Sequence, residues 1–175
     1  GVLTVAVSNV FFSEYIEGSS NNKAVEIYNA DSLPVALRHC RVRGYANGST
    51  TQSRAITLDD IFLPPGGTFV LCNTGWALGD ELCQQKSGGL TFTGDDAVVL
   101  DCGGAVADSI GQVGVDPGSQ WGSDPVSTAD NTLVRKCSVG VGDRDSADVF
   151  DPSVEWDGYD QNTVSYLGGH VHPCP

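Results

Sequence analysis

Apolar and polar positions along this chain alternate in short runs and do not recur at helical spacing. The runs "VLTVAV" (2–7), "VFFSEYI" (10–16), "KAVEIYN" (23–29), "VALRHCRVRGY" (35–45), "RAITL" (54–58) and "TFVLC" (68–72) each predict a strand, as do "LTF" (90–92), "DAVVLDC" (96–102), "AVADSIGQV" (105–113) and "NTLVRKC" (131–137). Turn-forming stretches separate them: "EGSSNN", "NGS", "PPGG", "TGD" and "CGG". Gly103 and Gly104, between two apolar runs, mark a hairpin. "PPGG" at 64–67 stops any helix and starts the strand at Thr68. Only 74–85 has room for a helical turn or two. From about residue 114 the chain becomes rich in Gly, Asp and Pro, yet Trp121, Phe150, Trp156, Tyr159 and Tyr166 supply anchors for long ordered loops. The pattern predicts an all-β fold, an antiparallel β-sandwich of immunoglobulin type, as one domain over 10–175. Residues 1–9 form an N-terminal extension strand ahead of it.

Composition adds a compartment and a charge. Hydrophobic residues make up 40% and charged ones 18%, a globular balance, and no apolar run is long enough to span a membrane as a helix. Lys+Arg 9 against Asp+Glu 22 leaves a net charge of −13, which disfavours direct binding of nucleic acid. The six cysteines lack the C-x-x-C spacing of a zinc site, so an even set of disulfides and an oxidising compartment are expected. Cys72 with Cys83 is the preferred pair, because Cys72 ends a strand pattern and the loop between them is short. Cys137 with Cys174 would pin the C-terminal tail and leave Cys40 with Cys102, but the sequence leaves both of these pairings open. The chain starts at Gly1 and contains no Met, the mark of a processed product or of an excerpt.

Candidate chemistry centres on acids. Strand alternation puts Phe12, Glu14 and Ile16 on one face, and in the next run Ala24, Glu26 and Tyr28 oppose Val25 and Ile27. Buried carboxylates need partners. A polar network of Glu14, Glu17, Asn22, Lys23 and Glu26, fixing a turn and a strand register, is therefore expected in preference to a catalytic pair. Calcium is the alternative cofactor: Asp143, Asp145 and Asp148 in one loop, with Asp157 and Asp160 in another and Asp151 and Glu155 beside them, offer oxygen ligands without the EF-hand spacing. Asp95 or Asp96 in "TGDD" is expected to cap a turn. His170 and His172 are spaced to share a metal, although a surface role explains them equally. His39 is expected to be structural. "NGS" at 47–49 matches a glycosylation sequon. No nucleophile motif stands beside a His and an acid, so no enzyme is expected.

Five stretches resemble a known family. "SEYIEGSSNNKAVEIYN" (Ser13 to Asn29), "LTFTGDDAVVL" (90–100), "DSIGQVGVDPGSQWGS" (108–123), "STADNTLVRKCSVGVGD" (127–143) and "FDPSVEWDGYDQNT" (150–163) are similar, in that order, to the lamin tail domain found in bacterial extracellular proteins, notably beside secreted nucleases. The resemblance covers roughly residues 10–170. It implies an immunoglobulin-like sandwich that serves as an accessory or interaction module, secreted or at the cell surface, and not as a catalyst. The large nuclease domain is absent from this chain, and "GVLTVAVSN" and "HVHPCP" lie outside the recognised motifs. In "GVLTVAV", Leu3, Val5 and Val7 face one way, which suits a strand that adds to the sheet of a neighbouring copy. Three functions follow as expectations: binding or assembly with a protein partner or with itself, a filament built by N-terminal strand donation, or the accessory domain of a secreted nuclease.

Overall fold

Strands form where β-branched and aromatic residues recur at every second position, and they end at Gly, Pro and Asn. The computed structural model describes residues 8–175; Leu3, Val5 and Val7 lie outside the described residues. In chain order the strands are β1 (Val10–Glu17), β2 (Lys23–Asn29), β3 (Val35–Ala36), β4 (Cys40–Tyr45), β5 (Arg54–Thr57), β6 (Phe62–Leu63) and β7 (Thr68–Cys72). They continue as β8 (Gln85–Lys86), β9 (Ala97–Cys102), β10 (Ala105–Ile110), β11 (Gly122–Ser123), β12 (Val126–Ser127), β13 (Asn131–Arg135) and β14 (Trp156–Asp160), with one helical turn, α1 (Pro152–Glu155), before the last. A six-stranded sheet runs β14-β13-β1-β2-β7-β8 and a four-stranded sheet β10-β9-β4-β5, with two small ribbons, β3–β6 and β11–β12. The fold is an all-β, immunoglobulin-like sandwich. Among the described residues its pairings are antiparallel except β7 with β8, which is parallel.

Between the sheets lies a core that includes Phe12, Tyr15, Val25, Ile27, Leu71, Leu100, Ile110, Leu133 and Trp156. A smaller cluster of Ile16, Ala24, Val70, Cys72 and Trp76 covers the outer face of the six-stranded sheet, with Leu82, Val164 and Leu167 packed on it. That sheet is thus buried on both faces, and every residue of β1 and β2 is buried.

One irregularity decides which face the acids take. The β1–β2 register shifts between Phe12, which opposes Ile27, and Glu14, which opposes Glu26. Ser13 is the extra residue of a bulge, and a bulge reverses the alternation beyond it. Phe12 therefore points into the main core while Glu14 and Ile16 turn to the outer face, not the shared face that plain alternation predicts. A second bulge, between Val106 and Asp108 in β10, brings Asp108 inward. Its Oδ2 accepts the Phe12 N–H at 2.7 Å, joining the two sheets.

Several expected runs are reshaped by tertiary pairing. The run 35–45 is split by a 3₁₀ turn at Leu37–His39, because β3 pairs with β6 while β4 pairs with β5 and β9. "LTF" is not a strand; its Leu90 and Phe92 are core residues all the same, with Phe92 stacked on Tyr15 at 4.7 Å. The region 74–85 holds only a 3₁₀ turn, Asp80–Leu82. Conversely β14, in a stretch read as loop, extends the six-stranded sheet. A Cβ on Gly158 would lie 2.0 Å from the Pro125 carbonyl oxygen, so glycine is what lets β14 approach.

Candidate functional site

Glu14 and Glu26 stand directly opposite each other on the outer face, each 1% exposed. The C-terminal segment covers them. Gly168 N–H donates to Glu26 Oε2 at 2.6 Å, and the Ser13 hydroxyl donates to Glu26 Oε1 at 2.7 Å. The His170 ring packs edge-on against Tyr28, at 4.9 Å, and against Phe11, at 5.9 Å. Tyr166 packs on Tyr159 of β14 at 4.5 Å, and the tail is fastened by the disulfide between Cys137 and Cys174. Neither carboxyl oxygen of Glu14 has a hydrogen-bond partner. Burial, and then the facing Glu26, push its pKa up to about 9, so at neutral pH it is a neutral carboxylic acid. Burial also raises Glu26, although its donors pull the other way. His170 is held down at about 4, first by burial and then by the Arg135 and His172 charges.

The five expected network residues therefore divide. Glu17 and Lys23 form a buried ion pair, Lys23 also donating to Gly18 O at 2.6 Å, and Asn22 accepts the Ala77 N–H at 2.9 Å. These three close the "EGSSNN" turn. Glu26 is tied to the C-terminal segment instead, and Glu14 is joined to neither group. The Ser13 bulge turns Glu14 to the outer face, where regular alternation along β2 already places Glu26.

A more extensive ionic network crosses between the sheets. Arg135 and Asp108 are paired with both side chains wholly buried. Arg135 Nε donates to Phe12 O at 2.9 Å, Nη1 pairs with Glu155, and the guanidinium lies 4.1 Å over the Trp156 ring. Asp108 Oδ1 accepts the Asp143 N–H at 2.7 Å, so the same carboxylate anchors the acidic loop. In that loop Asp143 accepts Asp145 N–H at 3.0 Å, Asp145 accepts Ala147 N–H at 3.1 Å, and Asp151 accepts Ser153 N–H at 2.9 Å. The acids fold the loop by capping its turns. Among the described residues no three His, Cys, Asp or Glu side chains gather as a metal would require. Asp143, Asp145 and Asp148 share the loop, while Asp157 and Asp160 lie exposed on β14, so the proposed calcium set does not converge. His170 and His172 also part: the first packs on aromatics, and the second meets Cys137 O at 3.0 Å. Asp96 caps its turn, accepting Thr93 N–H at 3.0 Å. Asn47 is exposed in a tight turn with φ 48°.

The other two disulfides lie in the sandwich. Cys40 and Cys102 are cross-strand neighbours on β4 and β9, and Cys72 at the end of β7 is joined to Cys83 after the 3₁₀ turn. Asn29 Nδ2 donates to both Leu33 O (3.0 Å) and Leu63 O (2.9 Å), tying the turn after β2 to β6, and the side chains of Leu33 and Phe62 on these two segments are exposed. The chain enters β1 beside them, where Asn9 N–H donates to Asp31 Oδ2 at 2.7 Å.

Comparison with curated proteins and with solved structures finds no match. The family described as Lamin Tail Domain matches residues 4–114. The match begins inside the segment read as an extension and stops before β11, leaving the acidic loop, β13, β14 and the C-terminal cover beyond it. It spans well over half of the 175 residues, and with the sandwich above it places this chain in the lamin tail domain family.

Proposed function

We propose that this chain is a non-catalytic, disulfide-braced module of an extracellular or cell-surface protein, acting by association with protein, including further copies of itself. The observation that carries this reading is the exposure of Leu33, 71%, and Phe62, 64%, on segments tied through Asn29, Leu33 lying two residues after Asp31, which anchors Asn9. Two large exposed apolar side chains on segments tied together by Asn29 support an association surface there. The alternating apolar run at residues 2–7 precedes Asn9 in sequence, and its pattern suits a strand that adds to a neighbouring copy. Glu14 and Glu26, the acids weighed as a catalytic pair, support the same view, because each is 1% exposed. Three disulfides suit an oxidising compartment, and no helix among the described residues is long and apolar enough to cross a membrane.

Sedimentation of the full chain, of a form lacking residues 1–9, and of a Leu33→Asp/Phe62→Asp variant tests this. Concentration-dependent oligomers are expected for the full chain only. A monomer at every concentration in all three would overturn the assembly reading.

A further inference from the structure

A basic concavity stands on this acidic molecule. Of nine Lys and Arg residues, Arg38, Arg41 and Arg43 line one open hollow of about 280 Å³, together with His39, Asp101 and the Gly103–Gly104 turn. Lys23 and Arg135, by contrast, are buried in ion pairs. Three arginines thus line one hollow on a molecule whose net charge is −13. The fold puts them there for definite reasons. Arg41 and Arg43 alternate on β4, so they share its outer face about 7 Å apart. The 3₁₀ turn before β4 brings Arg38 and His39 to the rim, and Gly103 N–H donates to His39 O at 2.8 Å, holding the β9–β10 hairpin turn against them.

The charges in the hollow are only partly spent. Asp101 is its single carboxylate; it pairs with Arg43 Nη2 at 3.2 Å and accepts Gly104 N–H at 3.3 Å. Arg43 Nε is buried without an acceptor. Arg38 reaches out to Asp60 at 2.9 Å and lies 5.6 Å over the Phe62 ring, which fixes its plane at the rim. Among the described residues no carboxylate lies within salt-bridge distance of Arg41. Guanidinium donors prefer planar, multidentate contact with oxyanions, and with one contact each to Asp60 and Asp101 the three arginines keep donors to spare.

We propose that this hollow binds a tetrahedral oxyanion, a phosphate or sulfate group carried free or as an ester. Arg41 and Arg38 supply the principal donors, and Arg43, paired with Asp101, adds its charge at the wall of the hollow. The net negative charge of the molecule repels long polyanions, whereas a compact anion within a screening length of roughly 8–10 Å feels mainly the local arginines. The hollow adjoins the proposed association surface through Arg38, which lies over the Phe62 ring, while Arg41 and Arg43 are carried on β4.

The test uses the full chain, ¹⁵N-labelled, titrated with inorganic phosphate and with sulfate against sodium chloride at matched ionic strength. Saturable shifts are expected at amides of residues 38–43 and 101–104. Arg41→Gln should weaken binding about tenfold, the loss of one charge-assisted contact, while Arg144→Gln, outside the hollow, should leave it unchanged. Arg38→Gln, at the exposed rim, serves as a second variant should Arg41→Gln not fold. Glycerol phosphate binding tighter than inorganic phosphate marks an ester ligand, and the reverse order marks the free anion. Shifts equal to those caused by chloride, or equal weakening by Arg41→Gln and Arg144→Gln, overturn the proposal.

Discussion

Glu14 has the most unusual environment of the side chains on the outer face: a carboxyl group, 1% exposed, facing a second acid and lacking any hydrogen-bond donor. Its pKa of about 9, against an ordinary 4.5, makes it a pH sensor with a defined sign. An acid whose folded pKa is raised stabilises the fold fully below its unfolded value and loses that contribution as pH rises toward the folded one. His170 acts oppositely: lowered to about 4 from 6.5, it adds stability that is lost as pH falls through that window. The two effects oppose each other between roughly pH 4.5 and 6.5, and above that window Glu14 acts without this opposition. Urea unfolding from pH 6.5 to 9 should therefore show stability falling by about 1 kcal/mol per pH unit, and Glu14→Gln should flatten the slope. An unchanged slope in the variant would refute the assignment. The sequence displayed the acid but not its fate, because a one-residue bulge at Ser13 chose its face and residues more than a hundred positions away covered it.

At the scale of elements, the C-terminal segment is a strap over the six-stranded sheet. Val164 and Leu167 pack on the outer cluster, Gly168 ties to Glu26, His170 sits against Phe11 and Tyr28, and Cys137–Cys174 closes the end. A disulfide spanning 37 residues stabilises by roughly 2–4 kcal/mol. Replacing Cys137 and Cys174 together by Ser should lower stability by about that amount. Hydrogen exchange should accelerate at Gly168 before it does in β1 or β2. Simultaneous acceleration throughout the sheet would mean that the strap is not a separate unit. The strap was hard to read in sequence, since "VSYLGGHVHPCP" has no periodicity; its order comes from what it lies on. The same holds for β14, which takes its strand form from pairing with β13, whereas β1, β2, β4, β7 and β9 carry their own alternation.

Across the whole molecule, the two sheets are joined by polar contacts as well as apolar packing. Asp108 on β10 reaches Phe12 N–H on β1 and Arg135 on β13, and it also anchors the acidic loop at Asp143. Burial pushes the Asp108 pKa up, and the Arg135 charge opposes that shift. Removing one member of such a pair strands the other without solvent. Arg135→Ala should cost about 3–5 kcal/mol, and Arg135→Ala/Asp108→Asn should cost less than the sum of the single changes, measured by denaturant unfolding. Additive losses would show that the pair does not couple the sheets. Neither residue stood out in the sequence: a lone Arg in "NTLVRKC" and a lone Asp in "AVADSI" look like ordinary strand polar positions. Only burial from both sides makes them partners.

The sequence by itself determined the class of fold, the position of most strands and the family to which residues 4–114 belong. It could do so because strand alternation, turn residues and cysteine spacing are local signals, present before any long-range contact forms. Tertiary structure decided the rest: which face Glu14 turns to, which acids gain donors, how β13, β14 and the strap complete the outer face, and how three arginines come to line one hollow. Those outcomes depend on register and on contacts between residues far apart in the chain. A single inserted residue in a strand, such as Ser13, reverses every side chain beyond it, and local periodicity does not show where that reversal falls.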